Sequence, residues 1–406
     1  MKPPLTARTL RPPLPEPEQR SFSDEALLLT DAPVPSRPPP PPRIDPGALW
    51  MESVSDWAQL ATLEEEWQAL AEKAAEPNPF YEPWMLLPAL RSFARPGCVQ
   101  VLLAFAPLAK GKRELVGVFP MQKRRGRLEL WHHPYCYLSA PLLRNGAERA
   151  ALACWLDWLA RETAVVRLED VPGDGPVRLH LLDELSQRGW PSLVSQAYTR
   201  AVLRPAASAD AFLGRALAGK RRKELRRQRS RLSEQGALAT DELAPGGDPR
   251  SWIDELLALE SAGWKGREGV SAEGDRVFLQ EMARGAAQRG RLQMLALRLG
   301  GQPVALKLNL ITGESGFAFK IAFDEAFSRV SPGVQLELDN VERAHQLPRL
   351  RLMDSCAAPN RFMIDHLWPD RREMQTLFFA TGGLRGALTV ALVPFLHLVR
   401  ARLGRA

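Results

Sequence analysis

The chain has 406 residues, 45% of them apolar, which allows two domains with hydrophobic cores of their own. Its formal net charge of +7 and its pI of about 9.4 favour anionic partners such as phosphorylated ligands, nucleic acid or acidic lipid. The cysteines lie far apart without CxxC spacing and the histidines form no HExxH, so neither a metal site nor a disulfide framework is predicted. We expect a cytoplasmic protein, because the N-terminal segment also lacks the apolar core of a signal peptide.

The N-terminal segment is rich in proline. Residues 1–46 contain 14 prolines, including the run from Pro38 to Pro42. Such a segment buries too little apolar surface to offset the entropy that ordering would cost. We predict a disordered tail, with docking of a partner as the alternative. The rest of the chain is predicted to form an N-terminal α/β domain at 47–205, a basic helical connector at 206–236, a C-terminal α/β domain at 237–375 and an apolar, basic helix at 376–406.

Apolar spacing predicts alternating helices and strands in the first domain. One helix face is formed by Leu60, Leu63, Trp67, Leu70 and Ala74. Further helices are predicted at 84–93, 147–161 and 177–188, and strands at 99–106, 115–121, 128–132, 164–168, 192–197 and 200–203. His132 and His133 are interpreted as residues at a strand end.

Residues 210–235 form a strongly basic segment. Lysine and arginine dominate 220–231, while Leu217, Leu225 and Leu232 provide a thin apolar seam at helical spacing. One interpretation is a solvated helix that packs through the seam. The other is a cationic surface for an anionic ligand.

The second domain repeats this order of elements. A helix capped by Asp248 begins at Pro249 and ends at Gly263. Because Glu260 follows Ile253 and Leu257 on one stripe of this helix, its carboxyl group should be partly desolvated, with a raised pKa. A helix at 278–288, strands at 291–299, 302–312 and 316–324, a helix at 334–345, a strand at 350–353 and a largely helical apolar segment at 373–402 are also predicted. Together with a weak internal echo between 102–120 and 295–308, this predicts a duplicated α/β unit.

The stretch from Gly316 to Leu338 joins a strand to a helix. Alternation predicts Phe317, Phe319, Ile321 and Phe323 on one face of the strand and Ala318, Lys320 and Ala322 on the other. Ser331 should cap the helix, followed by Pro332 and Gly333. A helix start that is bare of side chains suits a phosphate or carboxylate, although an ordinary strand–helix connection has the same pattern.

These residues resemble the GNAT superfamily of acyltransferases, and within it the CelD-like branch. The resemblance rests on GWKGR at 263–267 and the basic helix before it, FKIAFD at 319–324, SPG at 331–333, NPF at 78–80 and WHHPY at 131–135. It implies an α/β fold with a mixed sheet, made of two GNAT-like units in tandem. It also implies acyl transfer from acetyl-CoA or another acyl-CoA to an amine or hydroxyl. The segment 329–334 has one of the glycines of the superfamily's phosphate loop.

Direct acyl transfer needs a base for the acceptor proton and donors for the developing oxyanion. We predict catalytic roles for Glu260, Lys320 and Asp324. The alternative for Glu260 is an exposed position at the margin of the apolar stripe. For Lys320 it is a strand-edge lysine in water, and for Asp324 a cap of the following loop. Ser331, Gly333 and Val334 are predicted to bind the phosphates of acyl-CoA. Trp264, Lys265, Arg267 and Asp354 are predicted to line the acceptor pocket, with pairing to an arginine as the alternative for Asp354.

Three functions follow as hypotheses. The first is an acyl-CoA-dependent acyltransferase whose acceptor is a small molecule or a glycan, such as an envelope polysaccharide or its precursor. The second is an aminoacyl-tRNA-dependent aminoacyltransferase, and it is the only one of the three hypotheses in which a nucleic acid is a partner. The third is a non-catalytic accessory protein of polysaccharide assembly.

The apolar segment Leu377–Val399 is followed by Arg400, Arg402 and Arg405. This segment is predicted to pack on the second domain or to rest peripherally on the inner membrane.

Overall fold

A computed structural model describes residues 48–124, 126–267, 272–358 and 362–403. The proline-rich tail predicted at 1–46 lies outside them. Within the described residues, 13 strands form one mixed sheet in the order β1-β2-β3-β4-β6-β13-β7-β12-β11-β10-β9-β8, with β5 paired to β3. The strands are β1 (Trp50–Val54), β2 (Val99–Pro107), β3 (Arg113–Arg124), β4 (Arg127–Leu130), β5 (Leu142–Leu143), β6 (Val165–Pro172), β7 (Ser192–Leu203), β8 (Leu238–Glu242), β9 (Leu292–Leu299), β10 (Gln302–Thr312), β11 (Ser315–Phe323), β12 (Leu352–Asp354) and β13 (Asp370–Ala380).

Helices cover both faces of this sheet. They are α1 (Trp57–Ala61), α2 (Glu64–Glu72), α3 (Pro83–Phe93), α4 (Glu148–Glu162), α5 (Pro176–Gln187), α6 (Ala209–Ala216), α7 (Gly219–Ser233), α8 (Arg250–Ala262), α9 (Trp264–Arg267), α10 (Arg276–Gln288), α11 (Pro332–Gln346), α12 (Phe362–Leu367) and α13 (Gly383–Leu403). On one face α3, α8 and α10 share a single apolar core that joins both halves of the chain. On the other face α4 and α5 cover the first half, and α6, α7 and α11 cover the second.

The two halves of the sheet have the same pairing pattern. In the first half β1 to β4 are antiparallel neighbours, and β6 joins β4 in parallel. In the second half β8 to β11 are antiparallel neighbours, and β12 joins β11 in parallel. The predicted mixed sheet built from a duplicated α/β unit is confirmed.

Each half gives its last strand to the other half. β7 ends the first half but pairs with β12, whereas β13 ends the second half but pairs with β6. β7 and β13 then pair with each other at the centre of the sheet. The hydrogen-bonded ladder therefore continues without a break from one half into the other.

The prediction of a largely helical segment at 373–402 is wrong in its first part. Residues 370–380 form β13, and α13 begins only at Gly383. A short apolar run fits a buried strand as well as a helix, and the strands that decide the matter lie far earlier in the chain. Gly382 and Gly383 have φ angles of 97° and 73°, which suit the turn between the two elements.

Smaller differences concern the bounds of elements. The two strands predicted at 192–197 and 200–203 are the single strand β7. The basic helix predicted around 220–231 is α7, and the separate helix α6 precedes it in the same connector. The helix predicted from Pro249 begins at Arg250, whose N–H donates to Asp248. Strands β1, β5 and β8 were not predicted. The apolar seam is confirmed, because Leu217, Leu225 and Leu232 are all buried.

Candidate active site

A bulge interrupts β11 halfway along the strand. Leu310 of β10 pairs with Phe317 and Leu308 pairs with Lys320, so two residues of β11 face the single residue Asn309. Paired residues point to the same side of a sheet, and Leu308 and Leu310 share the core beneath α8 and α10. Lys320 therefore lies on the same face as Phe317. The predicted alternation is wrong beyond this point, because the extra residue reverses it.

The second part of β11 shows the consequence of this reversal. Ala322 packs with Leu256 of α8, on the same face as Lys320. Phe323 instead packs with Leu336 of α11, on the opposite face. The bulge thus turns Lys320 toward α8, away from the water that a strand-edge lysine would meet.

β11 and β12 separate beyond the bulge. They pair only where Ser315 to Phe317 lie opposite Leu352 to Asp354, whereas β11 continues to Phe323. In the described part of the chain, no strand pairs with this edge of β11 after Phe317. The bulge and the open edge leave backbone N–H and C=O groups available to an extended ligand.

Lys320 and Glu260 form a salt bridge beside the open edge. Lys320 Nζ donates to Glu260 Oε1 at 2.8 Å, and the two side chains are 11% and 1% exposed. As predicted, Glu260 is buried together with Ile253 and Leu257 on one stripe of α8. The ammonium is the more exposed partner, so a ligand on the β11 edge meets Lys320 first. The carboxylate holds Lys320 in position.

Tyrosines from the first half of the chain complete this region. The ring of Tyr135 lies 5.8 Å from Lys320 Nζ, and its hydroxyl donates to Asp275 Oδ2 at 2.7 Å. Burial, followed by the hydrogen bond to Asp275, raises the pKa of Tyr135. The ring of Tyr137 lies 5.9 Å from that of Phe319, edge to face. The sequence does not predict that Tyr135 and Tyr137 lie here, because no local pattern places the 131–140 loop against β11.

A small cleft opens between the end of α8 and the end of β11. Glu260, Gly263 and Glu325 border it together with residues 321–323, and its volume is about 40 Å³. That space holds only a few water molecules. A ligand that occupies more of this region must run along the open edge of β11 or separate α8 from the following loop.

The start of α11 differs from the expected capped helix. Ser331 has a left-handed backbone with a φ angle of 52°, and its side chain makes no capping bond. The N–H groups of Val334 and Gln335 both donate to the Ser331 carbonyl, at 2.9 and 3.0 Å. Among the described residues, the Gly333 N–H is the one first-turn donor without an acceptor. The predicted anion site therefore has fewer free donors than expected.

Gly333 also has a packing role. A Cβ atom at this position would lie 3.0 Å from Cδ1 of Phe323, so a larger residue would force the helix away from β11. The helix is further fixed by buried polar contacts to β10: Lys307 Nζ donates to Glu337 at 2.7 Å, and Asn309 Nδ2 donates to Asn340 at 2.7 Å. The position of α11 relative to the bulge is therefore rigidly determined.

The basic helix α7 packs beside the start of α11. Leu232 shares a core with Val330 and Leu336, and Gln335 Nε2 donates to the carbonyl O of Leu225 at 2.9 Å. The exposed cations of α7 are Lys220, Arg221, Arg222, Lys223, Arg226, Arg227 and Arg231. They give a positive potential to the surface around the end of β11 and the start of α11.

The other predicted site residues lie around this region or inside the protein. Asp324 accepts a hydrogen bond from the Ala326 N–H at 2.9 Å, so it caps the 325–330 turn. Arg267 is 62% exposed and donates to Glu325 at 2.6 Å. Trp264 and Lys265 lie in α9, and their side chains are outside the described residues. Their predicted role in the acceptor pocket stays a prediction.

Asp354 takes part in a buried ion pair between the halves. Its Oδ1 atom lies 3.4 Å from Arg200 Nη1 of β7, and both side chains are at most 3% exposed. Arg200 also donates to the carbonyl O of Tyr137 at 2.8 Å and to the Tyr198 hydroxyl at 2.6 Å. Asp354 thus pairs with an arginine, as the alternative prediction for this residue stated. The pair fixes the 131–140 loop against the centre of the sheet.

A polar chain continues from Arg200 into the first half. Tyr198 donates to Asp170 at 2.7 Å, and His132 Nε2 lies 3.0 Å from the second oxygen of Asp170. Burial tends to raise the pKa of Asp170, but the hydrogen bonds from His132 and Tyr198 and the charge of Arg200 lower it below its usual value. His132 lies just after β4, in agreement with the interpretation as a strand-end residue. Its contact with Asp170 could not be predicted from spacing.

His133 is buried, and we therefore expect the protein to lose stability in acid. Burial lowers the pKa of this imidazole from 6.5 to about 3, despite its contact with the Phe80 carbonyl. The unfolded chain binds a proton below about pH 6.5 and the folded chain does not. Stability is therefore complete above that pH and falls as the pH drops toward 3. We expect a loss of about 2 kcal/mol between about pH 7.5 and about pH 5, measured by urea unfolding.

A substitution at His133 distinguishes its contribution to the pH dependence of stability from the contributions of other titrating groups. His133→Phe removes the titrating group among its aromatic neighbours Trp131 and Phe278, so this part of the loss should disappear. His180→Gln is the matched control and should keep it. An equal loss in His133→Phe and the natural protein would contradict the assignment.

Residues 219–362 match the family model described as an acetyltransferase (GNAT) domain. The chain contains a GNAT acetyltransferase domain. The matched segment runs from α7 to the start of α12, so it includes Glu260, the bulged strand β11, Lys320 and the start of α11. The matched segment thus contains strands β8–β12 of the second half but not β13, and Tyr135 and Tyr137 also come from outside it. No curated protein sequence matches the chain.

Solved structures share the fold at low sequence identity. FemX has a TM-score of 0.52 and 9% identity, over 81% of this chain and 96% of its own. A conserved protein of unknown function from Bacteroides thetaiotaomicron has a TM-score of 0.51 and 12% identity, over 81% and 99%. A tandem GNAT protein from the clavulanic acid biosynthesis pathway aligns less well, with a TM-score of 0.40 and 15% identity over 82% and 99%, and this score is too low to support the fold assignment. In the described residues, no group of three or more His, Cys, Asp and Glu side chains is arranged to hold a metal ion.

Proposed function

We propose that the protein transfers an acyl group from a thioester such as acetyl-CoA to an amine or hydroxyl acceptor. One observation carries the proposal: the open, bulged edge of β11 lies inside the acetyltransferase domain, next to the Lys320–Glu260 pair and directly before α11. This arrangement offers a binding edge, a charged group and an anion-binding surface in sequence along one strand.

The donor would lie along the gap between β11 and β12. Amide groups of an extended pantetheine arm can pair with the free edge of β11 as an added strand does. Its phosphates would then reach the start of α11, where the Gly333 N–H and the α7 cations favour negative charge. Ser331, Gly333 and Val334 remain the residues that we propose next to the phosphates.

The acyl carbonyl would lie at the bulge, beside Lys320. The acceptor nitrogen or oxygen attacks the thioester carbon, the new C–N or C–O bond forms, the C–S bond breaks, and the thiolate takes up the proton that the acceptor loses. In this proposal a backbone N–H group at the bulge and the Lys320 ammonium would stabilise the developing oxyanion. Glu260 is 1% exposed, so we assign it mainly to the position and charge of Lys320. Glu260 can act as the base for the acceptor proton only if the acceptor reaches the salt bridge.

The acceptor would enter from the side of the first half. The 131–140 loop places Tyr135 and Tyr137 against β11, and Arg267 and Glu325 flank the cleft. We propose a small-molecule or glycan acceptor, such as an envelope polysaccharide or its precursor. The resemblance to the CelD-like branch supports this class.

Calorimetric titration with CoA and acetyl-CoA tests the donor. Binding in the micromolar range with both ligands supports the proposal. The absence of heat and of any thermal shift at millimolar ligand would reject an acyl-CoA donor. Release of free thiol from acetyl-CoA in the presence of glycan acceptors then tests the transfer itself.

The α7 cations give a prediction for donor binding. Arg227 and Arg231 are exposed on α7, which packs against the 325–330 turn. Reversing both charges should raise the Kd for CoA by about tenfold at low salt, because the phosphates lose nearby positive charge. Calorimetry at low and high salt measures the effect. Lys112→Glu with Arg161→Glu is the control, since it changes the net charge equally on the first half. Equal weakening in both double variants would contradict a local role.

An aminoacyl-tRNA donor is the second candidate. The cations exposed on α7 favour it, because they would suit a polyanion larger than CoA. Tight tRNA binding that weakens steeply with salt, without CoA binding, would support this donor. If neither CoA nor tRNA binds, the accessory role without catalysis is favoured. Transfer of acetyl groups from acetyl-CoA to any acceptor would exclude the accessory role.

A further inference from the structure

Helix α13 has a buried face and an exposed apolar face. Val390 and Val393 pack with Phe378 and Ala380 of β13. A Cβ atom at Gly386 would lie 2.5 Å from the carbonyl O of Ala164, so the helix lies close against the sheet. This contact fixes which face of α13 remains uncovered.

The uncovered face carries a row of leucines. Leu384, Leu388 and Leu392 are 83%, 62% and 56% exposed. Their spacing of four residues places them on one side of the helix, opposite Val390 and Val393. Large apolar side chains that are exposed in a row indicate a contact with another surface. Among the described residues, no helix is long and apolar enough to cross a membrane.

The charges of this segment have a single sign. Arg385 is exposed next to the row, and Arg400, Arg402 and Arg405 follow in the sequence. From Thr376 to Ala406 the sequence contains no aspartate or glutamate. An apolar row bordered only by cations is complementary to a surface that is apolar inside and negatively charged outside.

We propose that α13 docks the protein on the surface of a membrane that contains anionic lipids. The leucines enter the boundary between headgroups and acyl chains, Arg385 contacts the headgroups, and the positive charge of the following sequence adds to the attraction. A second copy of the chain fits this surface poorly, because a symmetric contact would bring together two surfaces that both carry positive charge. The proposal does not depend on the acyl transfer described above.

Sedimentation with lipid vesicles tests the docking. We expect the full-length protein to bind vesicles of phosphatidylethanolamine with phosphatidylglycerol and to bind phosphatidylcholine vesicles at least about tenfold more weakly. Leu384→Ser, Leu388→Ser and Leu392→Ser together should reduce binding to anionic vesicles by at least about tenfold. Arg385→Glu alone should reduce it by about fivefold, an effect that high salt removes.

A matched variant controls for general loss of apolar surface. Leu108→Ser, Leu179→Ser and Val277→Ser remove three exposed apolar side chains elsewhere and should leave vesicle binding unchanged. Thermal melting should be similar for both triple variants, since the leucines lie outside the core. The proposal fails if the natural protein does not bind anionic vesicles, or if the α13 variant binds them equally well. It also fails if the natural protein is a dimer that the α13 variant converts to a monomer without any change in vesicle binding.

Discussion

Replacement of Arg200 by methionine should lower the free energy of unfolding by about 3–5 kcal/mol. The guanidinium lies 3.4 Å from Asp354 and donates to the Tyr137 carbonyl and the Tyr198 hydroxyl. Without it, the Asp354 carboxylate is buried without its ion-pair partner, and two further polar groups lose their donor. Urea unfolding at neutral pH measures the loss.

Two controls distinguish the buried charge from general damage. Asp354→Asn added to Arg200→Met should recover part of the lost stability, because no charge is then left buried. Arg113→Met breaks a salt bridge to Glu52 in which both side chains are 37% exposed, and should cost less than about 1 kcal/mol. If Arg200→Met lowers the free energy of unfolding no more than Arg113→Met does, the buried ion pair does not contribute more to stability than an exposed one.

The double variant Lys320→Met with Glu260→Gln should lower kcat by about 10²–10³ with little change in CoA affinity. Both charges are removed together, so neither is left unpaired inside the protein, and the fold should survive. The loss falls on kcat because the Lys320 ammonium acts on charge that develops at the acyl carbonyl during the reaction. Steady-state rates with acetyl-CoA, together with calorimetry, separate the two quantities.

The other salt bridge near the cleft provides the comparison. Arg267→Gln with Glu325→Gln removes an exposed pair at the rim and should change kcat by less than about threefold, because such pairs act weakly on their surroundings. An unchanged kcat in the Lys320 and Glu260 variant would remove the pair from the mechanism. Single variants then show whether Glu260 acts only through Lys320: Glu260→Gln should reduce kcat less than Lys320→Met.

Local patterns were sufficient for the architecture. The spacing of Ile253, Leu257 and Glu260 predicted one buried stripe of α8, and Leu225 and Leu232 predicted the seam of α7; both are confirmed. These predictions succeed because the period of a helix and the face that it buries are written into consecutive residues. The repeated order of helices and strands likewise indicated a duplicated unit.

The features that could not be predicted depend on contacts between residues that lie far apart in the sequence. The alternation of β11 was reversed beyond Phe319 by a bulge that arises only when the strand pairs with Leu308 and Leu310 of β10. β13 was read as a helix because its partners are β6 and β7. The contact of His132 with Asp170 and the contact of Asp354 with Arg200 join residues 38 and 154 positions apart. Such contacts leave no regular pattern in the sequence.

The central pair of β7 and β13 has a consequence for how the protein unfolds. If the chain were cut between β7 and α6, the first fragment would keep six paired strands, β1–β6, and the second would keep five, β8–β12. Each fragment would also contain one strand, β7 or β13, without its neighbours. Neither fragment could complete its own ladder, so each should fold only in the presence of the other. The arrangement is the single-chain equivalent of a domain-swapped dimer, in which the two copies of a duplicated unit have become mutually dependent. One cooperative transition, with no half-unfolded intermediate, is the expected behaviour.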